Sequence, residues 1–415
     1  MAQDHEFIKD TKQSRDGQSD VSLTLAKHLL LNDDKKSNLI FSPISIQIAL
    51  SLLAAGSSGQ TLDQLLTFLK AKTTDELNYL YSHVVDLVFV DGSLANGPCL
   101  SLANGVWLDK SSSLNPRFKH VVDNLYKAAC HQVDFRNKFE EARLLVNSWV
   151  EKETNGLVRK ILPPKSLSSS TMLVLANALY FKAEWMEMFD PDDTKDYDFY
   201  LLNGDSVKVP FMRMRGHQYI SVFDGFKALK LPYAPVDWTQ KPNGKGGWTY
   251  SCDKKPIFSM YIFLPDAKDG LPALVEKAGS ESGFLDRHIP SESVLVGQFR
   301  IPKFKFEYKI ELSEALKTIG LDSPFDPEEG LREMVAHGAP LIVSKIYHKA
   351  FIEVNEEGTV AAAATVVEEQ LGFSLTEIKK VMIDFVADHP FLVFIREDKT
   401  GMVLFIGQVL DPSTT

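Results

Sequence analysis

Residues 353–365 read EVNEEGTVAAAAT, and they open a longer stretch, NEEGTVAAAATVVEEQLGFSLTEIKKVMID (355–384), between two strand candidates, FIEV (351–354) and FLVFI (391–395). A connection of this length exceeds the roughly 12–15 residues of ordinary loops, which makes it functional or disordered. Two acidic residues and a glycine lead into four alanines flanked by Thr359, Val360, Thr365, Val366 and Val367, and no proline occurs from 355 to 384. Small side chains and the absence of proline are compatible with an extended strand as well as with a loop. With period-two alternation, Thr359, Ala361, Ala363, Thr365 and Val367 share one face. The same alternation puts Glu369 on that face, where an unpaired carboxylate costs several kcal/mol. Gly358 can take backbone angles closed to other residues. The competing reading of AAAATVV is a helix, because alanine is the strongest helix former.

Outward from this stretch, strand signals are strong in LVLANALYF (173–181), FKALKLPY (226–233), IFSMYIFLP (257–265), VGQFRIPKFKFEY (296–308) and MVLFIGQVL (402–410). Helical patterns occupy SLTLAKHLLL (22–31) and part of NLIFSPISIQIALSLLAAGSSG (38–59), where the apolar run breaks at Ser42-Pro43 and continues as a small-residue helix closed by glycine. A third, ARLLVNSWVEKETNGLVRKIL (142–162), is built round Leu145 and Trp149 and stopped by Asn155-Gly156. Helices lead and strands follow without a strict βαβα rhythm, so the expected class is α+β with a largely antiparallel or mixed sheet. With no internal repeat and no proline-rich linker, one domain is expected over residues 21–415, preceded by a flexible arm at 1–20. Residues 240–256, QKPNGKGGWTYSCDKKP, carry the glycines, prolines and lysines of an exposed loop.

Bulk properties narrow the function classes. The chain has 415 residues, 44% hydrophobic content and a net charge of −10, so no global positive field draws in nucleic acid or an acidic membrane surface. The first twenty residues are polar, without the apolar stretch of a secretory signal, and no run is long enough to span a bilayer. Cys99, Cys130 and Cys252 are scattered and odd in number, which suits reduced thiols in a cytoplasmic or nucleocytoplasmic setting. Enzyme signatures are missing: GSESG (279–283) puts Glu281 where a G-x-S-x-G nucleophile would stand, and there is no H-E-x-x-H, P-loop or G-x-G-x-x-G. His348, in SKIYHKAF, reads as a satisfied structural histidine and Cys130 as packing, so no catalytic residue, metal or cofactor is expected.

EVNEEGTVAAAAT (353–365) resembles the hinge of inhibitory serpins, DFVADHPFLVFI (384–395) the signature after the family's reactive loop, and GMVLFIGQVLDP (401–412) its closing strand. NLIFSPISIQIALSLLAAGSSGQT (38–61), LANALYFKAEW (175–185) and SKIYHKAFIEVNEEGT (344–359) are similar to further family motifs, in order, and the wording looks most like the plant branch. The resemblance implies a serpin fold of three β-sheets with about nine helices and an exposed reactive-centre loop at about 359–385. Its implied hinge is Glu356, Glu357, Gly358, Thr359, Val360, Ala361, Ala362, Ala363 and Ala364. Ser42, Pro43 and Ser45 match the segment below the sheet that opens to admit the loop, Asn177 and His348 the polar pair across it, and Trp185 the aromatic at its top.

The implied function is suicide inhibition of a serine or papain-like cysteine protease by a monomer that forms a covalent complex with its target. The alternative is a non-inhibitory binding or chaperone module, whose relatives usually carry bulkier or charged hinge residues. In the family the scissile bond usually follows the fourteenth residue after the hinge glycine, which gives Gly372–Phe373. The stretch onward to DFVADHPF is about two residues longer than in plant relatives, so Phe373–Ser374 stands beside it. Lys379 and Lys380 lie too far along the loop to serve a trypsin-like target, and Leu371 is the apolar residue that a papain-like protease would select. No lysine or arginine occurs from 80 to 100, so no polyanion activator is expected.

Overall fold

The structure, a computed structural model, describes residues 2–32, 37–88, 98–235, 239–242, 248–251, 256–326, 329–337, 341–359 and 382–414. Nine α-helices are found among them: Ala2–Leu31 (α1), Pro43–Ala55 (α2), Gly59–Phe68 (α3), Thr74–Val88 (α4), Pro116–Asn124 (α5), Phe135–Glu153 (α6), Leu271–Ser280 (α7), Phe284–Arg287 (α8) and Ser313–Thr318 (α9). The strands in chain order are Leu39–Phe41 (β1), Cys99–Asp109 (β2), Ser113–Leu114 (β3), Ala129–Val133 (β4), Leu173–Glu184 (β5), Lys195–Tyr200 (β6), Ser206–Arg213 (β7), His217–Phe223 (β8), Phe226–Pro232 (β9) and Thr239–Pro242 (β10). They continue with Trp248–Ser251 (β11), Phe258–Pro265 (β12), Ser293–Pro302 (β13), Phe304–Glu311 (β14), Val335–His337 (β15), Lys345–Val354 (β16), Gly358–Thr359 (β17), Ile383–Val386 (β18), Phe391–Glu397 (β19) and Val403–Val409 (β20).

Three sheets result, as expected. Sheet A has the order β14-β16-β17-β5-β2-β4, with β16 also pairing directly with β5. The longer path β1-β20-β19-β12-β9-β8-β13-β7-β6, with β18 on β13, divides at β13. Ser293–Leu295 pair with β8 and complete sheet B, whereas Arg300–Pro302 pair with β7 and belong to sheet C; the ladder to β18 shifts between Val296 and Phe299. The run 296–308, read from sequence as one strand, is therefore two. At the break, Lys303 donates its N–H to the Pro210 carbonyl at 2.9 Å, and the chain passes from sheet C into sheet A.

The main core lies between sheets A and B. Helix α2 sits inside it, with every residue from Pro43 to Ala54 buried, which is why its sequence is apolar on all sides. Pro43 occupies its first turn, the Ser42 side chain caps it by accepting from the Ser45 N–H at 3.3 Å, and Gly56 closes it. Strand β5 is buried along most of both faces and reads as a continuous apolar run. Leu175, Leu179 and Phe181 face the main core, while Val174, Ala176 and Ala178 face α6. The alanines leave room for α6 to lie close, through Ala142, Val146 and Val150.

Helix α6 begins before the pattern found at 142–162 and ends sooner. Leu145 is 56% exposed and not part of the core. Asn155 and Gly156 adopt φ of 50° and 80°, left-handed values that stop the helix as their types suggest. The apolar residues beyond, Ile161 and Leu162, are buried as coil because Asn147 bonds both the N–H (2.8 Å) and the carbonyl (3.0 Å) of Leu162.

Two other expectations change. Residues 2–20 of the expected arm lie within α1; Gln18, Ser19 and Asp20 are buried. Asp20 accepts the Gly283 N–H at 2.8 Å and the Lys70 ammonium at 2.9 Å, contacts that no local pattern could announce. Within 240–256, expected as loop, β10 and β11 pair antiparallel from Thr239↔Ser251 to Pro242↔Trp248. Thr-Gln-Lys-Pro and Trp-Thr-Tyr-Ser hold enough β-branched and aromatic residues for this, between the turn formers that dominated the composition.

Candidate functional site

The long connection enters sheet A at once. Gly358 pairs with Glu184 and Thr359 with Ala183 on β5, while Thr359 also pairs with Val354 on β16. Strand β17 thus lies between the two central strands. Lower down, β16 and β5 pair directly and in parallel, from Lys345↔Val174 to Ala350↔Leu179. Among the described residues, Tyr180–Lys182 and Phe351–Glu353 form no rungs between these two strands, so an open slot separates the tip of β17 from the closed half of the sheet.

The hinge is held from several sides. Asn355 Oδ1 accepts the N–H groups of Glu357 (3.0 Å) and Gly358 (3.1 Å), which forms the turn that aims β17 back into the sheet. Trp185 donates its backbone N–H to the Glu357 carbonyl (2.8 Å) and its Nε1–H to the Asn355 carbonyl (2.9 Å). Gly358 is required for clearance: a Cβ there would collide with the Ala183 carbonyl oxygen. Thr359 is 1% exposed, and its Oγ1 lies 2.7 Å from the Tyr233 hydroxyl, whose ring stacks on Trp185 with centroids 4.6 Å apart.

Glu356 is buried and meets Lys303 Nζ at 2.8 Å and the Thr194 hydroxyl at 2.8 Å. Burial alone would raise its carboxyl, but the bond from Lys303, the backbone and Thr194 overcome this and hold it below the usual range. A Glu357 oxygen is buried without a partner among the described residues.

At the closed half of the sheet the side chains expected from sequence come together. His348 and Asn177 face each other across β16 and β5, with His348 Nδ1 2.8 Å from Asn177 Oδ1. The Ser42 N–H donates to His348 Nε2 at 2.9 Å, so the proton sits on Nδ1 and donates to Asn177. Asn177 Nδ2 donates to the Ser45 carbonyl (2.8 Å) and to Asn104 Oδ1, and the Ser45 hydroxyl donates to Asn177 Oδ1. Pro43 supplies no donor; it starts α2 and thereby sets Ser42 and Ser45 beneath the strands.

Burial pushes the His348 imidazole down to about 3, so it is neutral in the folded protein. The unfolded chain takes up a proton near pH 6.5 that the folded chain refuses, so stability is full above that pH and falls as pH drops towards 3. Each pH unit inside that window is expected to remove about 1.4 kcal/mol. Denaturant midpoints at pH 7 and 5 check this against His348→Gln, which lacks the titration. His28 and His131 are also lowered by burial and add slope of the same sign to both proteins, so the difference belongs to His348. Equal slopes would refute the assignment.

Of the expected hinge residues, Glu356 and Glu357 lie in the turn after β16, and Gly358 and Thr359 form β17. Val360, Ala361, Ala362, Ala363 and Ala364 lie outside the described residues, as do Leu371, Gly372, Phe373 and Ser374. The far end of the loop meets β18 at Ile383, two residues inside the expected limit of 385. Burial raises the Cys130 thiol to about 11, which fits packing and not nucleophilic work. Sequence reasoning missed Asn104, Tyr233, Lys303, Thr194 and Asn355. Asn104 had a weak signal: Leu-Ala-Asn occurs at 94–96, 102–104 and 175–177, and the asparagines of the last two stand directly opposite in the β2–β5 register.

A two-residue strand lodged between the central strands of a six-stranded sheet opens a long connection that leaves from within the sheet itself. The chain belongs to the serpin family: the family model described as "Serpin (serine protease inhibitor)" matches residues 16–412. It is 50% identical to Serpin-ZX of Arabidopsis thaliana over 406 residues, covering 97% of this chain and 99% of that relative. Serpin-ZXA of Oryza sativa subsp. japonica is 49% identical over 378 residues, with 90% of each chain covered. The solved structure of Arabidopsis AtSerpin1 in its native stressed conformation matches with a TM-score of 0.86 at 48% identity, over 97% of this chain and 99% of that one.

Proposed function

We propose that this chain inhibits proteases as a suicide substrate and is not itself an enzyme. The observation that carries the reading is β17: the first two residues of the reactive loop already form rungs between β5 and β16. Continuing that antiparallel register puts Val360, Ala361 and Ala362 opposite Lys182, Phe181 and Tyr180, in the open slot. From Ala363 onward insertion must part β16 from β5, beginning at the Ala350↔Leu179 pair. The same count sets Thr365 opposite Asn177, on the face that carries the shutter bonds. The His348–Asn177 bond then breaks, and the Thr365 hydroxyl takes over the vacated side of Asn177. Glu369 reaches the level of Leu173, the first residue of β5, where the inserted strand ends.

In the reaction the protease nucleophile attacks the carbonyl of Gly372, the amine of Phe373 leaves with a proton, and an acyl-enzyme forms. Insertion of the freed loop then carries the protease off before water arrives. The bond proposed is Gly372–Phe373, with Phe373–Ser374 as the one alternative. Leu371 is proposed as the main specificity contact for a papain-like cysteine protease, since burying it adds roughly 1.5–3 kcal/mol and Gly372 offers nothing to a deep primary pocket. The working form is taken to be a cytoplasmic monomer.

Incubation with a panel of serine and papain-like proteases, followed by denaturing electrophoresis, tests the reading through a covalent complex. Cleavage with every protease and complex with none would favour a non-inhibitory binding module. Leu371→Asp is expected to lower the trapping rate of papain-like enzymes at least tenfold without shifting the melting temperature of the intact protein. Mass spectrometry of the released C-terminal peptide identifies the bond: an N-terminus at Phe373 supports the count, and one at Ser374 supports the alternative and a chymotrypsin-like target.

A further inference from the structure

We propose that Arg213, Arg215 and Arg300 form a docking site on sheet C for an acidic surface of the protease held on the reactive loop, an inference that rests on the inhibitory reading above. Arg213 at the end of β7 and Arg300 on β13 are direct cross-strand partners. Like charges opposite one another in a ladder repel, and a sheet keeps such a pair at a cost unless an anion sits between them. Among the described residues neither guanidinium has a carboxylate within ion-pair distance. Arg300 reaches only the Gln298 side chain (3.0 Å) and the Tyr197 ring (4.4 Å), and its Nε is buried with no partner.

Three of the carboxylates near the patch are committed elsewhere. Asp384 accepts the Gln298 N–H at 2.7 Å, Asp388 bonds His389 at 2.8 Å, and Asp198 pairs with Lys208 at 3.3 Å. Asp196, opposite Pro210 and three positions back from Arg213, makes no ion pair among the described residues. Arg215, two residues beyond Arg213, is exposed. An unneutralised basic cluster on a chain of net charge −10 points to a local partner and not to general attraction for polyanions.

Its position selects the partner. Strand β18, the first strand after the reactive loop, pairs with β13 and sets Val386 opposite Arg300. Met382, where the described chain resumes after the loop, packs beside Gly297, three residues from Arg300 and so about 10 Å along the strand. A protease seated on the loop covers that distance, and rim charges of this kind act mainly on the rate of encounter.

The test uses an acidic and a basic member of whichever protease class the wild-type chain traps, with rates of covalent complex formation measured at 20 and 300 mM salt. Arg213→Gln/Arg300→Gln is expected to slow trapping of the acidic protease about tenfold at low salt and to flatten its salt dependence. The basic protease should be unaffected, and the ratio of trapped to cleaved inhibitor should stay the same for both. Arg215→Gln alone, which breaks no described contact, should show a smaller loss in the same direction and guards against misfolding of the double variant. Unchanged rates and slopes with normal trapping would overturn the docking site and leave the inhibitory reading intact. A drop in melting temperature with unchanged rates would assign the arginines to the chain's own loop carboxylates, Glu368, Glu369 or Glu377, and would also overturn it. Failure of the wild-type chain to trap any protease would remove both readings together.

Discussion

Thr359→Arg is expected to turn the inhibitor into a plain substrate. Thr359 is the leading residue of β17, buried to 1% exposure, with its hydroxyl bonded to Tyr233 beneath the stacked Trp185. A guanidinium at that position would have to enter the core without a counter-ion, which costs about 3–5 kcal/mol or more. The hinge would withdraw from the sheet instead, and insertion after cleavage would stall at its first step. The protease would then complete hydrolysis before being displaced. The expected readout is a rise in the number of inhibitor molecules consumed per protease inactivated, from near one to ten or more, with cleaved chain replacing the covalent band on a denaturing gel. Wild-type stoichiometry from the variant would show that insertion does not drive inhibition. Thr359→Ser keeps the hydroxyl for Tyr233 and should retain most of the activity, which separates burial of charge from loss of the bond.

Cleavage of the reactive loop is expected to raise the melting temperature by at least about 20 °C. The intact sheet holds two rungs of the incoming strand, and continuation of the register to Glu368 opposite Val174 would add nine residues. Each new ladder bond contributes about 0.5–1.5 kcal/mol net, and the inserted strand bonds on both sides, so the gain is on the order of ten kcal/mol. That is comparable with the whole stability of an ordinary domain, and it is the free energy available for displacing a protease. At roughly 2 °C per kcal/mol for a chain of this size or larger, the shift is easily seen by calorimetry before and after limited proteolysis in the loop. An unchanged melting temperature would mean that the loop does not insert. The non-inhibitory reading would then hold.

The hinge and the shutter were legible for different reasons. Small residues, paired acids and a glycine in EVNEEGTVAAAAT form a local pattern, because a segment destined for the middle of a sheet must lack bulk and proline along its own length. Ser42, Pro43 and Ser45 were legible because capping is also a local rule: a serine before a proline before an apolar run starts a helix. His348 and Asn177 could be named only through family motifs. Their bond spans 171 residues of chain, and neither residue type alone says what it will meet.

The sequence by itself determined which segments could be strand, helix or hinge, since period, volume and backbone permission are properties of neighbours in the chain. Its errors came where that information is weakest. Residues 1–20 look polar enough for an arm, yet Gln18 finds a partner at Leu69, just past α3, and Asp20 at Ser282 and Gly283, between α7 and α8, which satisfy them once buried. Leu145 looked like core by type and faces water because α6 is turned to set Val146 and Val150 on the alanines of β5. Tertiary structure alone decided that Lys303 and Thr194 would hold Glu356, that Tyr233 would receive Thr359, and that Arg213 and Arg300 would stand opposite each other. Tertiary structure also decided that Gly358 and Thr359 would stand between β5 and β16 while those strands pair directly lower down, because the backbone groups of both central strands must be satisfied by partners far away in the chain.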